Sequence, residues 1–524
     1  MTSLTSCPPE IVRDIFSRLD KANLVDLCRV SQYLCSIAQP LLYHVINIKF
    51  HTYPDAHSAP DPAPFIPLTT TLLRRPDLAA NVWAVNIGHD WDKEEQVKYP
   101  VKSPVKGRDD AHLINELAAF VLRAARGTPI SFRHRWISGL EKGFRGAYIA
   151  LLLALVPNIQ TCHIRLMTPR EYGLLGLMFD YALCSRGPDI RLPRFERLRE
   201  VTFNQVRDIP AGELPEWWEP RYNEKDHPDW VLTEPNLSAK ILPLFYLPAV
   251  ERLHLAMDDP ECDEVPWPGY TACAPSCETL ESLTLVASRE YEGIREGLLG
   301  QILSATKILQ HLSWLCLDNQ AAHPERSFIN LDQFATDLCA VRTSLKSLQV
   351  TADARASTWD YDQEHVVLRG NMLLLKTFNS LTDLRIPLVF LFGFSPPPPS
   401  QNQTTARLAD FLPPSLVSVF LTGDLYVDQR YSWTIQSKIK LIEDWFRVRE
   451  TTTPYLTKFA MRLGLCEEDS ASSQCRNRWR WLRRRLAQHG IKLVLQRSGW
   501  SDSYSRHSDP VEDDDTEPET ESDS

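Results

Sequence analysis

The sequence lacks an apolar run long enough to cross a membrane. The longest run, residues 147–156, has ten residues, whereas a helix that spans a bilayer needs about 20. We therefore read it as a buried helix. The first residues also lack the basic cluster and the long apolar stretch of a secretory signal. We expect an intracellular protein, in the cytoplasm, the nucleus or both, with no membrane partner.

Motifs that carry chemistry are also missing. The sequence contains no glycine-rich phosphate-binding motif, no G-x-S-x-G nucleophile motif and no H-E-x-x-H zinc motif. The 14 histidines are dispersed along the chain. We predict no catalytic residues and no cofactor, and hence a protein that is not an enzyme. An active site built from residues of distant segments is the remaining alternative.

The cysteines do not form a metal-binding pattern. Twelve cysteines are scattered, and none of them forms the paired C-x2-C spacing of a zinc site. The closest group is Cys262, Cys273 and Cys277, with only His254 nearby. We predict no metal site and reduced thiols in the core or in loops.

The charge of the chain is negative and partly local. The formal net charge is −10, and nine acidic residues lie within residues 509–524. A negative chain has little electrostatic affinity for nucleic acid, so we expect nucleic acid not to be a partner. Because residues 498–524 are polar, acidic and poor in apolar groups, we predict that they form a disordered acidic tail.

Residues 7–43 predict three short helices. Pro8 and Pro9 stop any preceding structure, and Glu10 favours the first turn of a helix. Asn23 is the predicted N-cap of the second helix, and Ser31 breaks or re-caps the chain before the third. Apolar residues of the first helix recur at helical spacing: Ile11, Val12, Ile15, Phe16 and Leu19. Apolar groups left over by such a small core need a partner.

This stretch resembles the F-box. The departures are Cys7, where leucine is usual, and Gln32-Tyr33, where a basic–aromatic pair is common. The residues that carry the resemblance are Pro8, Pro9, Glu10, Ile11, Val12, Ile15, Phe16, Leu19, Leu24, Leu27, Val30, Ser31, Leu34, Ala38, Pro40, Leu41, Leu42 and Tyr43.

The resemblance implies that residues 1–50 form an F-box domain. Such a domain would dock onto the small adaptor of an SCF-type (cullin-RING) ubiquitin ligase and, through the adaptor, join a cullin. The chain would then be the substrate-recognition subunit of the ligase. The residues expected to contact the adaptor are Pro8, Pro9, Ile11, Ile15, Leu19, Leu27 and Val30.

A Pro-rich segment follows, and an internal repeat follows that segment. Residues 51–67 contain five prolines and predict a linker. Downstream, the pattern apolar-x-x-apolar-x-apolar recurs, and its last members are 30 to 40 residues apart. The members are Val82/Val85/Ile87, Ile159/Cys162/Ile164, Leu198/Val201/Phe203, Val250/Leu253/Leu255, Leu280/Leu283/Leu285, Leu312/Leu315/Leu317, Leu345/Leu348/Val350, Leu381/Leu384/Ile386, Leu416/Val419/Leu421 and Leu456/Phe459/Met461.

Each repeat predicts one short strand followed by one helix. Helical stretches are predicted at 171–184, 292–306, 330–342 and 436–450. One such unit cannot bury its apolar face alone, so stacked units give a solenoid with parallel strands. The units resemble long, irregular leucine-rich repeats, as in fungal-type F-box proteins. We predict an α/β fold: a three-helix F-box, then a leucine-rich-repeat-like solenoid over residues 68–497 with a parallel concave sheet.

Two stretches are candidates for contacting an unknown target protein. Residues 214–230 carry aromatic and charged side chains with little periodicity, a composition typical of binding hot spots. Residues 475–490 combine six arginines with two tryptophans, which favours either a partner such as RNA or a helix that caps the last repeat through Trp479, Leu482 and Leu486. The residues expected to bind a partner are Trp217, Trp218, Arg221, Tyr222 and Trp230. The alternative function is a ligase-independent repeat scaffold that binds protein or RNA.

Overall fold

The computed structural model describes most of the folded chain. The described residues are 7–50, 64–89, 108–166, 173–185, 189–205, 241–257, 264–268, 275, 277–287, 294–318, 328–354, 367–392, 407–423, 433–463 and 473–497. They belong to two compact units, Met1–Arg369 and Gly370–Ser524. Within the described ranges, no helix is long and apolar enough to cross a membrane.

The first unit begins with three helices: α1 (Pro9–Ser17), α2 (Lys21–Val30) and α3 (Gln32–His44). Glu10 lies in the first turn of α1, as predicted. The predicted N-cap of α2 was wrong. Asp20 caps this helix, because its carboxylate accepts a hydrogen bond from the backbone N–H of Asn23, 2.8 Å away. Ser31 caps α3 through its hydroxyl, which accepts from the N–H of Leu34 at 3.2 Å.

A small core holds the three helices together. Both α1 and α2 pack on α3. The buried residues at the centre of this core are Val12, Phe16, Leu24, Leu34 and Ala38. With so few buried side chains, every one of them matters to the stability of the helical unit.

The helical unit continues into a parallel sheet. The strands of the first unit are β1 (Val45–Phe50), β2 (Ala84–His89), β3 (Thr161–Leu166), β4 (Glu200–Gln205), β5 (Arg252–Met257), β6 (Ser282–Ala287), β7 (His311–Asp318), β8 (Phe328–Asn330), β9 (Ser347–Ala354) and β10 (Val367–Arg369). Strands β1 to β7 pair in chain order, and β9 pairs with β7. All of these pairs are parallel, while β8 and β10 form a separate parallel pair.

The same hydrogen-bond arrangement recurs at the residues where successive strands begin. The carbonyl of Trp83 accepts from the N–H groups of Gln160 and Thr161, at 2.8 and 3.1 Å. Five further carbonyls each accept two N–H groups from the start of the next strand-and-helix repeat in the same way: those of Gln160, Arg199, Glu251, Glu281 and Gln310. The predicted repeat is therefore a real structural period, with the strand start in the same position each time.

One member of the predicted repeat was out of register. The pattern placed Leu312, Leu315 and Leu317 together, but the sheet aligns Leu312 with Leu283 and Trp314 with Leu285. The inward-facing set of this unit is therefore Leu309, Leu312 and Trp314, all of them buried. Leu315 lies on the other face of the strand, where Val286 packs against it.

Helices cover the sheet between successive strands. They are α4 (Phe65–Arg74), α5 (Pro76–Ala79), α6 (Arg108–Ala124), α7 (Ile130–Glu141), α8 (Arg145–Leu155), α9 (Gly173–Phe179), α10 (Leu298–Ser304) and α11 (Leu331–Leu338). A π-helical turn extends α9 to Cys184, and 3-10 turns occupy Leu242–Tyr246 and Cys339–Val341. Helix α8 is buried along most of its length, which confirms the prediction for residues 147–156.

The second unit repeats the same plan. Its strands are β11 (Asp383–Pro387), β12 (Ser418–Thr422), β13 (Lys458–Leu463) and β14 (Lys492–Arg497), which pair in that order and in parallel. Its helices are α12 (Leu388–Phe392), α13 (Leu408–Phe411), α14 (Ile435–Thr452) and α15 (Ser473–Gln488), and a 3-10 turn covers Leu373–Thr377. The chain thus has an α/β fold that follows an N-terminal three-helix unit, as predicted.

The helical unit joins the sheet without a spacer. Helix α3 ends at His44 and β1 begins at Val45, and β1 pairs with β2. The Nζ of Lys21 donates to the carbonyl of Val45 at 2.7 Å, and the N–H of Trp83 donates to the carbonyl of His44 at 2.9 Å. The sheet therefore begins before the Pro-rich segment, and α4 begins at Phe65, inside the range predicted as linker.

Candidate functional site

Helix α1 carries an apolar stripe wider than its core can cover. Val12 and Phe16 are buried, one turn apart. Ile11 and Ile15 each precede one of these residues, so they lie about 100° around the helix. Their exposed fractions are 54% and 43%. The two exposed isoleucines therefore form an apolar surface on this short helix.

Helix α2 adds two exposed valines. Val30 is 70% exposed and Val25 is 38% exposed. Leu27 and Leu19 are half-buried and pack against the core of the three helices. Of the residues predicted to bind an adaptor, Pro8, Pro9, Ile11, Ile15 and Val30 are exposed. Val25, which directly follows the buried Leu24, is a further exposed apolar residue that is not among those predicted from the sequence.

The charges around this surface neutralise each other. Asp14 and Arg18 form an ion pair on α1 at 3.1 Å, and Asp26 and Arg29 form one on α2 at 3.3 Å. Both pairs are exposed and contribute little to stability. The exposed isoleucines of α1 and the exposed valines of α2 are therefore the apolar groups that these two helices present to solvent.

Three of the described thiols, those of Cys28, Cys184 and Cys277, are poorly suited to nucleophilic chemistry. Burial raises the pKa of Cys28 to about 11, and Cys35 adds to the shift. Burial also raises the pKa of Cys184 and of Cys277 to about 12. A thiol with a raised pKa stays protonated near neutral pH and is a weak nucleophile.

Candidate metal ligands are not gathered in the part of the chain that the structure describes, where no group of three suitable side chains occurs. Cys277 is buried and donates to the carbonyl of Phe245. Its two predicted companions, Cys262 and Cys273, lie outside the described residues.

A second candidate surface is the face of the sheet opposite the main core. The middle residues of adjacent strands lie side by side there and are polar: Asn47, Asn86, His163, Thr202, His254, Thr284, Ser313 and Gln349. The amide of Asn86 donates to Asn47 at 2.7 Å, and Nδ1 of His163 lies 2.8 Å from the hydroxyl of Thr202. We call these eight residues the polar row.

Charged groups flank the polar row. Glu200 and Arg252, at the starts of β4 and β5, form an ion pair at 2.7 Å. Burial lowers the pKa of the nearby His163, although the charge of Glu200 opposes this effect. A neutral imidazole between hydroxyl and carboxylate groups can donate or accept hydrogen bonds. This surface is therefore equipped for recognition of polar groups.

The aromatic residues predicted to bind a partner lie outside the described residues. These are Trp217, Trp218, Arg221, Tyr222 and Trp230. Their segment follows Gln205, the last residue of β4. Since β3, β4 and β5 are parallel neighbours, Gln205 lies at the same edge of the sheet as the C-terminal ends of β3 and β5.

Comparison with known proteins bears on the helical unit. Residues 5–49 match the F-box-like family. The match covers α1, α2, α3 and most of β1. F-box-like domains bind the small adaptor of SCF-type ubiquitin ligases, and proteins that carry them are generally non-catalytic substrate receptors. No curated protein matches the chain.

Proposed function

We propose that this protein is a substrate receptor of an SCF-type ubiquitin ligase. The observation that carries the proposal is the exposed apolar surface on the helices that match the F-box-like family. In this proposal Pro8, Pro9, Ile11, Ile15 and Val30 contact the adaptor, and Val25 joins them. Leu19 and Leu27 support the same surface from the side of the core.

Adaptor binding would bury the side chains that the chain alone leaves in water. Removing apolar surface from water contributes roughly 25 cal/mol per Å², so two half-exposed isoleucines are a substantial part of a small interface. The cullin would be reached through the adaptor and not by direct contact. This chain would supply no chemistry of its own.

The strand-and-helix units would hold the target protein. We propose that they form a leucine-rich-repeat-like solenoid, and that the polar row and the aromatic segment after β4 contact the target. Holding a target beside the ubiquitin-carrying enzyme raises its effective concentration. The gain in rate would come from this proximity.

The test is a paired substitution on α1. Ile11→Asp with Ile15→Asp places two carboxylates on the proposed contact surface while Val12 and Phe16 keep the core. We expect adaptor binding to weaken at least tenfold, since buried unpaired charges are costly, and the melting temperature to fall slightly while the protein stays folded, because the half-buried parts of the two isoleucines are lost. The measurement is co-purification with a purified SCF adaptor.

A matched control separates the surface from the substitution. Ile130, at the start of α7, is 64% exposed, so Ile130→Asp makes the same change elsewhere and should leave adaptor binding intact. Adaptor recovery by the α1 double variant equal to that of the unmodified protein would refute the proposal.

A further inference from the structure

Helix α15 has two chemically different faces. Trp479, Leu482 and Leu486 are buried, and the helix packs against α14 and β14. This confirms the predicted capping role of the three residues. Arg480, Trp481 and Arg484 are exposed, and the helical spacing puts them on the side opposite the core. The residues of the exposed face do not contribute to the packing of α15 on its neighbours.

The helix carries far more positive charge than its surroundings neutralise. It has six arginines and no carboxylate. Arg478 pairs with Glu443 of α14 at 2.8 Å. Across the described ranges, no carboxylate lies within ion-pair distance of Arg480, Arg483 or Arg484. Like charges one turn apart, such as Arg480 and Arg484, destabilise a helix. This face therefore favours an anionic partner.

Aromatic rings complete the face. Trp481 is 48% exposed, and the guanidinium of Arg485 lies 5.1 Å from its ring centre. Arg485 and Arg449 also lie over the ring of Phe446, at 5.7 and 4.9 Å. Such cation–π contacts hold the guanidinium groups in place. The guanidinium of Arg485, held in this way, can bind a carboxylate through two parallel hydrogen bonds, whereas that of Arg449 is largely buried and pairs with Glu450.

We propose that the acidic segment 509–523 of this same chain covers the exposed face of α15. The segment has nine carboxylates and no basic residue. It also contains Pro510 and Val511, apolar groups that suit an exposed indole ring. The proposal is independent of adaptor binding.

Chain connectivity favours this occupant over an external one. The chain reverses at Gly490, and β14 packs beside α15 and ends at Arg497. Residues 498–508 then precede the acidic segment. They can span up to about 35 Å when extended, whereas a helix as long as α15 measures about 24 Å. A tethered partner within reach has an effective concentration in the millimolar range.

Nucleic acid is the competing occupant, since arginine and tryptophan also bind single strands. The nine carboxylates next to α15 in the chain would repel a phosphate backbone. The internal segment is therefore the favoured occupant, and binding of nucleic acid is an outcome of the test.

The experiment uses the full chain and a neutralised variant in which the nine acidic residues become Asn or Gln. The probe is a fluorescent synthetic peptide of residues 505–524, followed by anisotropy. We expect the neutralised variant to bind the peptide at least tenfold more tightly than the unmodified chain, whose own segment occupies the face. Salt should weaken this binding.

A second pair of variants locates the site. In the neutralised variant, Arg480→Gln with Arg484→Gln should reduce peptide binding at least tenfold. Arg194→Gln with Arg197→Gln removes the same charge from two exposed arginines elsewhere and should leave binding unchanged. Equal peptide binding by the unmodified and neutralised chains would overturn the proposal. So would equal losses in the two arginine pairs, or binding of oligouridylate but not peptide by the neutralised variant.

Discussion

Gly300 lies in α10, where the helix meets the carboxylate of Asp337 from α11. The N–H of Gly297 and the side-chain amide of Gln333 both donate to that carboxylate. A Cβ atom at residue 300 would lie 2.5 Å from Oδ1 of Asp337. The buried carboxylate of Asp337 therefore joins two successive strand-and-helix repeats. Among the amino acids, only glycine at residue 300 leaves room for this carboxylate.

Gly300→Ala should destabilise the protein, although alanine is the better helix former. We expect a loss of about 1–3 kcal/mol from the steric conflict, measured by urea unfolding. In the Asp337→Ala background the two closest atoms, Oδ1 and Cγ, are removed, and the Cβ of residue 337 remains 3.2 Å from the added methyl group. There, the same substitution should cost less than in the unmodified protein, because only this milder contact opposes the better helix propensity of alanine. An equal penalty in both backgrounds would contradict this account.

Asp337 should also give stability a characteristic pH dependence. Burial raises the pKa of its carboxyl, although hydrogen bonds from Gly297, Gln333 and Gly300 oppose the shift. The folded state then binds the proton more tightly than the unfolded state. The resulting stabilisation is complete below the unfolded pKa, about 3.9, and is lost as pH rises through the folded pKa.

Asp337→Asn removes this titration and leaves the other groups in place. The stability of the unmodified protein relative to the variant should grow as pH falls from neutral toward about 4. Urea unfolding midpoints of both proteins, measured across that range, check the sign. A difference that stays constant or shrinks on acidification would show that Asp337 does not titrate as its burial implies.

Among the elements, the predicted helices agreed with the structure better than their caps or faces did. Asp20 and Asn23 are both good capping residues, and three positions separate them. Spacing alone could not choose between them. The sequence predicted the apolar stripe of α1, but the stripe is wide, and its width did not show which of its isoleucines and valines face the core. That division depends on α3, which supplies the core on one side only.

Strand β1 should be essential to the sheet. A chain that begins at residue 64 lacks β1 and leaves the N–H and C=O groups of β2 unpaired along one edge. Such an edge promotes self-association. We expect this truncation to melt at a lower temperature and to form larger species in size-exclusion chromatography. The α1 double variant keeps β1 and should elute as the unmodified protein does, and a truncation that melts and elutes as that variant does would contradict the expectation.

For the whole molecule, the apolar repeat predicted the order and direction of the strands. The prediction of inward-facing residues failed at β7, where Trp314 faces inward. The leucines at 315 and 317 also match the apolar pattern, so the sequence placed the repeat on the wrong residues. The candidate binding residues were harder to predict. The polar row consists of ordinary Asn, His, Thr, Ser and Gln residues, which become a surface only when strands far apart in sequence align.

The direct passage from α3 into β1 has a consequence for distance. No flexible residues separate His44 from Val45, and adjacent strands lie about 4.8 Å apart. A target held at β5 would therefore lie about 20 Å from the strand that follows the helices proposed to bind the adaptor, and one held at β9 about 35 Å. The strand at which a target binds would thus determine the distance between the lysines of the target and the ubiquitin that is transferred.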